Sequence, residues 1–215
     1  MESAATVCAG GVVLAGGRST RMGTPKPWLA WRGSTLLSAT CAVLLDAADG
    51  PVLVVRAPGQ SLPPLPASVE VHEDPHEGLG PVQGLAVGLR ALADRVDVAF
   101  VCSTDLPFLD RSFVRRLLRE LQQRPDAQAV VPVVGGRAHP LAAAYRTSLA
   151  GPAEAAVESG ELRLLTLLAH RSVLRLAEED LLHDAELAAA DPALSSLTNV
   201  NDQQDYARAL RASTG

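Results

Sequence analysis

Aromatic residues make up only 3% of the chain, and a single lysine stands against eighteen arginines. The three cysteines are scattered, and no apolar run approaches the thickness of a bilayer. Each scarcity removes a class of protein. With so few aromatic faces, single-stranded nucleic acid has nothing to stack on. The net charge of −5 argues against a surface that coats nucleic acid, so any anionic ligand must be held by a local positive site. Cys8, Cys41 and Cys102 are odd in number, far apart and without Cys-x-x-Cys spacing, which argues against both a disulfide framework and a zinc centre. Cys8 and Cys102 lie in or beside apolar runs, where a buried thiol is the ordinary state. A membrane helix needs ~20 apolar residues, and the start of the chain has no basic residue before Arg18 to make a secretion signal. The expectation is a cytoplasmic protein with neither a nucleic-acid nor a membrane partner.

What the chain does have is a 47% hydrophobic content over 215 residues, enough for one sizeable core and a single domain spanning 1–215. Short apolar runs alternate with helical periodicity. Strands are expected at 8–15, 51–55, 69–71, 98–103 and 129–134, with further candidates at 141–145 and 173–176. Helices are expected at 35–47 behind a Ser34 or Thr35 cap, at 81–93 with Pro81 in the first turn, and at 110–123. Four more are expected at 149–157, 162–168, 178–190 and 202–211, the last capped by Asn201 or Asp202. Residues 57–67 hold four prolines and read as a loop. Strand–helix alternation of this kind implies a mostly parallel sheet with helices on both faces.

Ligands of such sheets bind beyond the carboxyl ends of the strands, which selects three loops. The first, after Leu14, has glycines at 16, 17 and 23 and cations at Arg18, Arg21 and Lys26. Glycines let backbone N–H groups approach phosphate oxygens, and the cations neutralise their charge. The lone lysine falls here, a slim ammonium on a flexible stem where a guanidinium would be a broad planar fork. The pattern is neither Gly-x-Gly-x-x-Gly nor Walker A. The loop after Val101 ends in Asp105, a candidate for a Mg²⁺ ion shared with substrate phosphates and equally for a turn cap. The loop after Val71 contains His-Glu-x-x-His at 72–76. Pro75 and the flanking glycines forbid the helix that this zinc motif requires, so zinc is rejected. Gly78, Gly80 and Gly84 instead point to close approach of a planar ligand such as a base. Asp74 is a candidate for a ribose or base contact, or for a turn cap. His139, following Gly135-Gly-Arg137, lies in a region within reach of a second substrate, while His170 and His183 read as helix-surface residues.

Taken in order, Leu14-Ala-Gly-Gly-x-Ser-x-Arg21-Met-Gly-x-x-Lys26, Gly80-Pro-x-x-Gly84, Cys102-x-x-Asp105-x-Pro107 and Asn199-Val-Asn201 resemble the molybdenum cofactor guanylyltransferases, the MobA-like nucleotidyltransferases. The resemblance runs from about Val12 to Leu210 and implies a Rossmann-like three-layer α/β sandwich. It implies transfer of GMP from GTP to the terminal phosphate of molybdenum-molybdopterin, releasing pyrophosphate. Leu14, Ala15 and Gly16 would then hold the nucleotide by backbone contacts, with Lys26, Arg21 and the Gly16 and Gly17 amides on its phosphates. Asp74 would contact GTP, Gly80 and Gly84 would line the base, and Asp105 would bind Mg²⁺. Asn199 and Asn201 would lie near the pterin or the metal. A transient contact with molybdoenzymes is a further implied partner. The pattern departs at Arg56, where the family carries asparagine. Rival expectations are a CTP-dependent molybdopterin cytidylyltransferase, a nucleotidyltransferase acting on another small metabolite, and a catalytically inactive nucleotide-binding protein.

Overall fold

The computed structural model describes residues 8–16, 24–76 and 78–213. Its strands and helices follow the chain's apolar punctuation closely. β1 (Ala9–Leu14) is followed by a two-residue hairpin, β2 (Ala30–Trp31) and β3 (Ser34–Thr35), then α1 (Leu36–Ala47), β4 (Val52–Arg56) and β5 (Val69–Glu73). Next come α2 (Gly80–Leu92), β6 (Val98–Ser103), α3 (Arg111–Gln122), β7 (Ala129–Val134), β8 (Arg137–Ala138) and β9 (Ala142–Arg146). The last part comprises α4 (Ala150–Glu158), α5 (Leu164–Ala169), β10 (Val173–Ala177), α6 (Glu178–Leu182), α7 (Ala185–Ala190) and α8 (Gln203–Ala212).

Caps explain most boundaries. Thr35 Oγ1 accepts the Ser38 N–H at 3.3 Å, Asp110 Oδ1 accepts that of Ser112 at 2.8 Å, and Asp202 Oδ1 that of Asp205 at 2.8 Å, each satisfying a donor that the first helical turn leaves free. The single helix expected over 178–190 is two helices. Asp184 Oδ1 accepts the Leu187 N–H at 3.0 Å, so the carboxylate starts a new helix at the point where the alanine-rich propensity would have continued the old one. The β2–β3 hairpin was not foreseen, because two-residue strands are too short to show alternation. Arg32 (φ +45°) and Gly33 (φ +77°) form its turn, with the positive angles that tight hairpins require.

Among the described residues the main sheet runs β10-β7-β9-β6-β1-β4-β5, with β8 hydrogen-bonded to β7. β1 is parallel to both β4 and β6, β4 to β5, and β7 to β10, while β9 runs antiparallel between β6 and β7. Alternation along the strands sends side chains to opposite faces. Val13, Val54, Phe100 and Cys102 pack with α1, α3, α6 and α7, whereas Val12, Leu53, Val101 and Tyr145 pack with α2, α4 and α5. The result is a three-layer sandwich. Each fully buried large apolar side chain, such as Phe113 or Leu117 on α3, contributes about 1.5–3 kcal/mol by leaving water. Leu29, Trp31, Leu36, Val200 and Ala209 form a separate small core that joins the hairpin to α8, with Trp31 edge-on to Phe108 at 5.4 Å.

Helix α2 lies unusually close to β1. A Cβ at Gly88 would stand 2.6 Å from Val12 Cγ1, and one at Gly84 would stand 3.2 Å from Leu14 Cδ2.

Burial raises the Cys41 thiol to about 12 and raises Cys102 well above its ordinary value, with Cys41 and Asp105 adding to the second effect. Cys8 is exposed. Thiolate is the reactive form, so titration of the native protein with DTNB at pH 8 is expected to label Cys8 alone. Cys41 and Cys102 should react only after denaturant is added, and rapid native labelling of either would mean that the sheet–helix core opens there.

Candidate active site

Strand order determines where the loops meet. From β1 the chain moves outward to β4 and β5, then α2 carries it back to β6 on the opposite side of β1. The reversal opens a crevice at the carboxyl ends of β1 and β6, where Leu14, Ser103 and their following loops stand side by side.

Lys26 reaches this crevice from a short 3-10 turn, Lys26–Trp28, entered through Pro25. Pro27 is buried, and the Trp28 indole Nε1 donates to the Ser61 carbonyl at 3.1 Å. The rigid prolines and this anchor aim the side chain. Lys26 Nζ lies 2.8 Å from Asp105 Oδ2, across 79 residues of sequence, with the two side chains 21% and 14% exposed. The other carboxylate oxygen, Oδ1, accepts the Asn199 amide Nδ2 at 3.1 Å and the Ser103 hydroxyl. Asn199 arrives because the Val200 N–H donates to the Asp105 carbonyl at 2.9 Å and the Val200 side chain is buried in the small core. Thus Lys26, Ser103 and Asn199 converge on the Asp105 carboxylate.

The turn after β1 is pinned from two sides. Thr104 Oγ1 donates to the Leu14 carbonyl at 3.0 Å, and Gln60 Nε2 donates to the Ala15 carbonyl at 2.9 Å. The Ala15 N–H donates to the Val55 carbonyl at 2.8 Å. A side chain at Gly16 would reach within 3.4 Å of the Ala57 nitrogen, so the backbones of the two loops lie against each other. Gly17 and Arg21 fall outside the described residues.

On the β5 side, the Asp74 N–H donates to the Arg56 carbonyl at 2.8 Å, while Asp74 Oδ1 accepts the His76 N–H at 2.9 Å. One oxygen of Asp74 therefore caps its own turn. Gly80 adopts φ +70°, where a Cβ would lie 3.4 Å from the Leu162 carbonyl. Gly84 is buried beneath Leu14, so its missing side chain brings α2 to the floor of the crevice. Asn201 is exposed, and its N–H donates to Asp205 Oδ2 at 3.0 Å. At the other end of the crevice, the Gly135-Gly136 turn carries Arg137 and His139 out from the carboxyl end of β7. The Ser103 N–H donates to the Leu141 carbonyl at 3.1 Å, which sets this hairpin beside the Asp105 loop. Burial first, and the Arg137 charge second, lower the His139 pKa.

Asp105 supplies one carboxylate, with a hydroxyl and an amide beside it. Among the described residues no three His, Cys, Asp or Glu side chains gather as metal ligands. That donor set suits a hard ion that takes one carboxylate and completes its shell with water and phosphate oxygens, as Mg²⁺ does, and not zinc. Ser103, Thr104 and Gln60 were not singled out from the sequence. The first two directly precede Asp105 in its motif, and Gln60 is the long amide in a loop otherwise made of proline and small or apolar residues.

A carboxylate and an ammonium gathered at a topological switch point, beside the carboxyl end of β1, are the kind of arrangement found in α/β nucleotide-handling enzymes. Residues 11–179 match the family described as MobA-like NTP transferase domain. The chain belongs to that family and is a nucleotidyltransferase. A Mycobacterium tuberculosis H37Rv protein named "Probable molybdenum cofactor guanylyltransferase" is 42% identical over 177 residues, covering 81% of this chain and 86% of that one. Molybdopterin-guanine dinucleotide biosynthesis protein A from Archaeoglobus fulgidus shares the fold, with a TM-score of 0.77 at 22% identity over 95% of this chain and 98% of that one. So does a Mycobacterium tuberculosis protein solved in complex with manganese, with a TM-score of 0.64 at 20% identity over 95% and 99% of the two chains. Among the described residues no helix is long and apolar enough to cross a membrane.

Proposed function

We propose that the protein transfers GMP from GTP to the terminal phosphate of molybdenum-molybdopterin, releasing pyrophosphate. The observation that carries this reading is the convergence of Lys26 and Asn199 on Asp105 at the switch point, in a chain 42% identical to relatives named for that activity. A phosphate oxygen of the acceptor attacks the α-phosphorus of GTP. The bond from that phosphorus to the bridging oxygen of the β-phosphate breaks, and pyrophosphate leaves with the electron pair. The acceptor phosphate is already anionic, so the step needs charge stabilisation and alignment more than a proton acceptor.

In this reading Lys26 and Arg21 neutralise the leaving pyrophosphate, and the Gly16 and Gly17 amides cradle the phosphates. The Leu14 and Ala15 backbone holds the nucleotide, with its base toward Asp74, Gly80 and Gly84. Asp105 would hold the Mg²⁺ ion, which when bound supplies positive charge to the phosphate oxygens. Asn199 orients the Asp105 carboxylate, and Asn201, Arg137 and His139 stand on the acceptor side. Residues 1–215 act as one nucleotidyltransferase domain, the expected setting is the cytoplasm, and the finished cofactor would pass to a molybdoenzyme by a transient contact.

Pyrophosphate release measured with molybdopterin and Mg²⁺ tests the assignment. Release with GTP at least tenfold faster than with CTP is expected. A CTP preference would move the protein to the cytidylyl branch. Activity only with another phosphorylated acceptor would change the substrate, and nucleotide binding without any release would leave an inactive binder.

A further inference from the structure

Arg56 occupies the position where the resemblance implies an asparagine contact to the nucleotide, but its guanidinium is engaged elsewhere. Nη1 donates to the Gln60 carbonyl at 2.9 Å and Nη2 to Glu73 Oε2 at 3.0 Å. Nε is buried and has no hydrogen-bond partner among the described residues. Glu73 Oε2 also accepts the Gly59 N–H at 3.2 Å. The ends of β4 and β5 thus grip the 57–60 turn at two points. The Gln60 side chain closes that turn, accepting the Ala57 N–H on Oε1 at 2.9 Å, and its Nε2 spans 45 residues of sequence to the Ala15 carbonyl at 2.9 Å.

This brace lies on the β4–β5 side of the turn after β1. The phosphate-handling charges, Lys26 and Asp105, lie on the β6 side. A nucleotide laid across the switch point with its phosphates at Lys26 has its nucleoside half toward the brace. We infer that Gln60, held in place by the Arg56–Glu73 pair, is a positioning residue that sets the β1 turn for the nucleoside half of the substrate, and that Arg56 serves the site through Gln60 and not by touching the nucleotide. The inference rests on the guanylyltransferase reading above.

An exposed ion pair alone contributes little, whereas removing one partner from a satisfied amide–carbonyl bond typically costs several-fold to about tenfold or more in an equilibrium constant. Gln60→Ala is therefore expected to raise the KM and Kd for GTP about tenfold while kcat at saturation changes by less than about threefold. Gln60→Glu keeps the shape and the acceptor for Ala57 but cannot donate to Ala15, and it should be at least as weak. Glu73→Ala should weaken GTP about threefold in the otherwise unchanged protein. Added to Gln60→Ala it should do almost nothing, because both act through one element.

Inhibition by pyrophosphate, which has no base, is the control and should stay within twofold in every variant. A general loosening of the fold would weaken pyrophosphate and GTP together, and that result overturns the proposal. So does Gln60→Glu with wild-type GTP affinity, or full additivity of the Glu73 and Gln60 substitutions. If the wild-type protein binds neither GTP nor pyrophosphate, the functional reading falls and takes this inference with it. If it binds both and the Gln60 variants do not change GTP affinity, only this inference falls.

Discussion

Lys26→Ala is expected to lower kcat/KM for guanylyl transfer by about 10²–10³-fold, the usual loss when one preorganised electrostatic contact to a leaving group is removed. The position leaves little room for a substitute. Pro25 and the buried Pro27 fix the backbone on either side, and the Trp28 anchor to Ser61 holds the turn from below. The ammonium is largely shielded from water and 2.8 Å from Asp105, where a charge acts more strongly than in bulk solvent. Lys26→Arg keeps the charge but presents a planar fork of five donors in place of a compact point charge, so it should recover only a minor part of the activity. The fold should persist, because Lys26 and Asp105 sit in turns at the crevice and neither belongs to the two large apolar cores on which the sandwich is built. Turnover of Lys26→Ala within a few-fold of wild type would remove Lys26 from the mechanism.

Asp105→Ala carries the second large effect, again a loss of about 10²–10³-fold in turnover. This carboxylate holds several groups at once. It pairs with the ammonium through Oδ2 and accepts Asn199 and Ser103 through Oδ1, so its removal frees three donors at once. The Asp105 carbonyl still receives the Val200 N–H, which should keep the C-terminal segment docked and the melting temperature within a few degrees of wild type. Asp105→Asn separates geometry from charge. It preserves an oxygen for Asn199 and Ser103 but cannot neutralise a metal ion, and it should be as inactive as alanine. Mn²⁺ affinity measured by electron paramagnetic resonance provides a readout independent of turnover. It should fall at least tenfold in both variants, and an unchanged affinity would falsify the placement of the metal on Asp105.

Much of the fold is visible in the residue pattern for a simple reason. The apolar runs at Val98–Ser103 and Ala129–Val134 are short, continuous and bounded by turn residues, as strands buried on both faces must be. The amphipathic stripe of Arg111–Gln122 and its Asp110 cap mark a helix without any tertiary information. Where the expectation failed, a local competitor decided the outcome. Asp184 preferred capping to helix interior and split the stretch expected to be one helix, and the hairpin strands were too short for any periodicity to register.

The candidate site divides in the same way. Glycines at a strand end, an isolated lysine between two prolines, and an aspartate after an apolar strand are short-range patterns, and the sequence alone was enough to nominate Lys26 and Asp105 and to class the chain as α/β. That these two residues touch, that Asn199 joins them from 94 positions beyond Asp105, and that Gln60 braces Ala15 while Arg56 pairs with Glu73 and the Gln60 carbonyl were decided only by the tertiary structure. Periodicity reports which face of an element is buried, over a handful of residues. Contact between loops depends on strand order and on the reversal at β1, which no local pattern encodes.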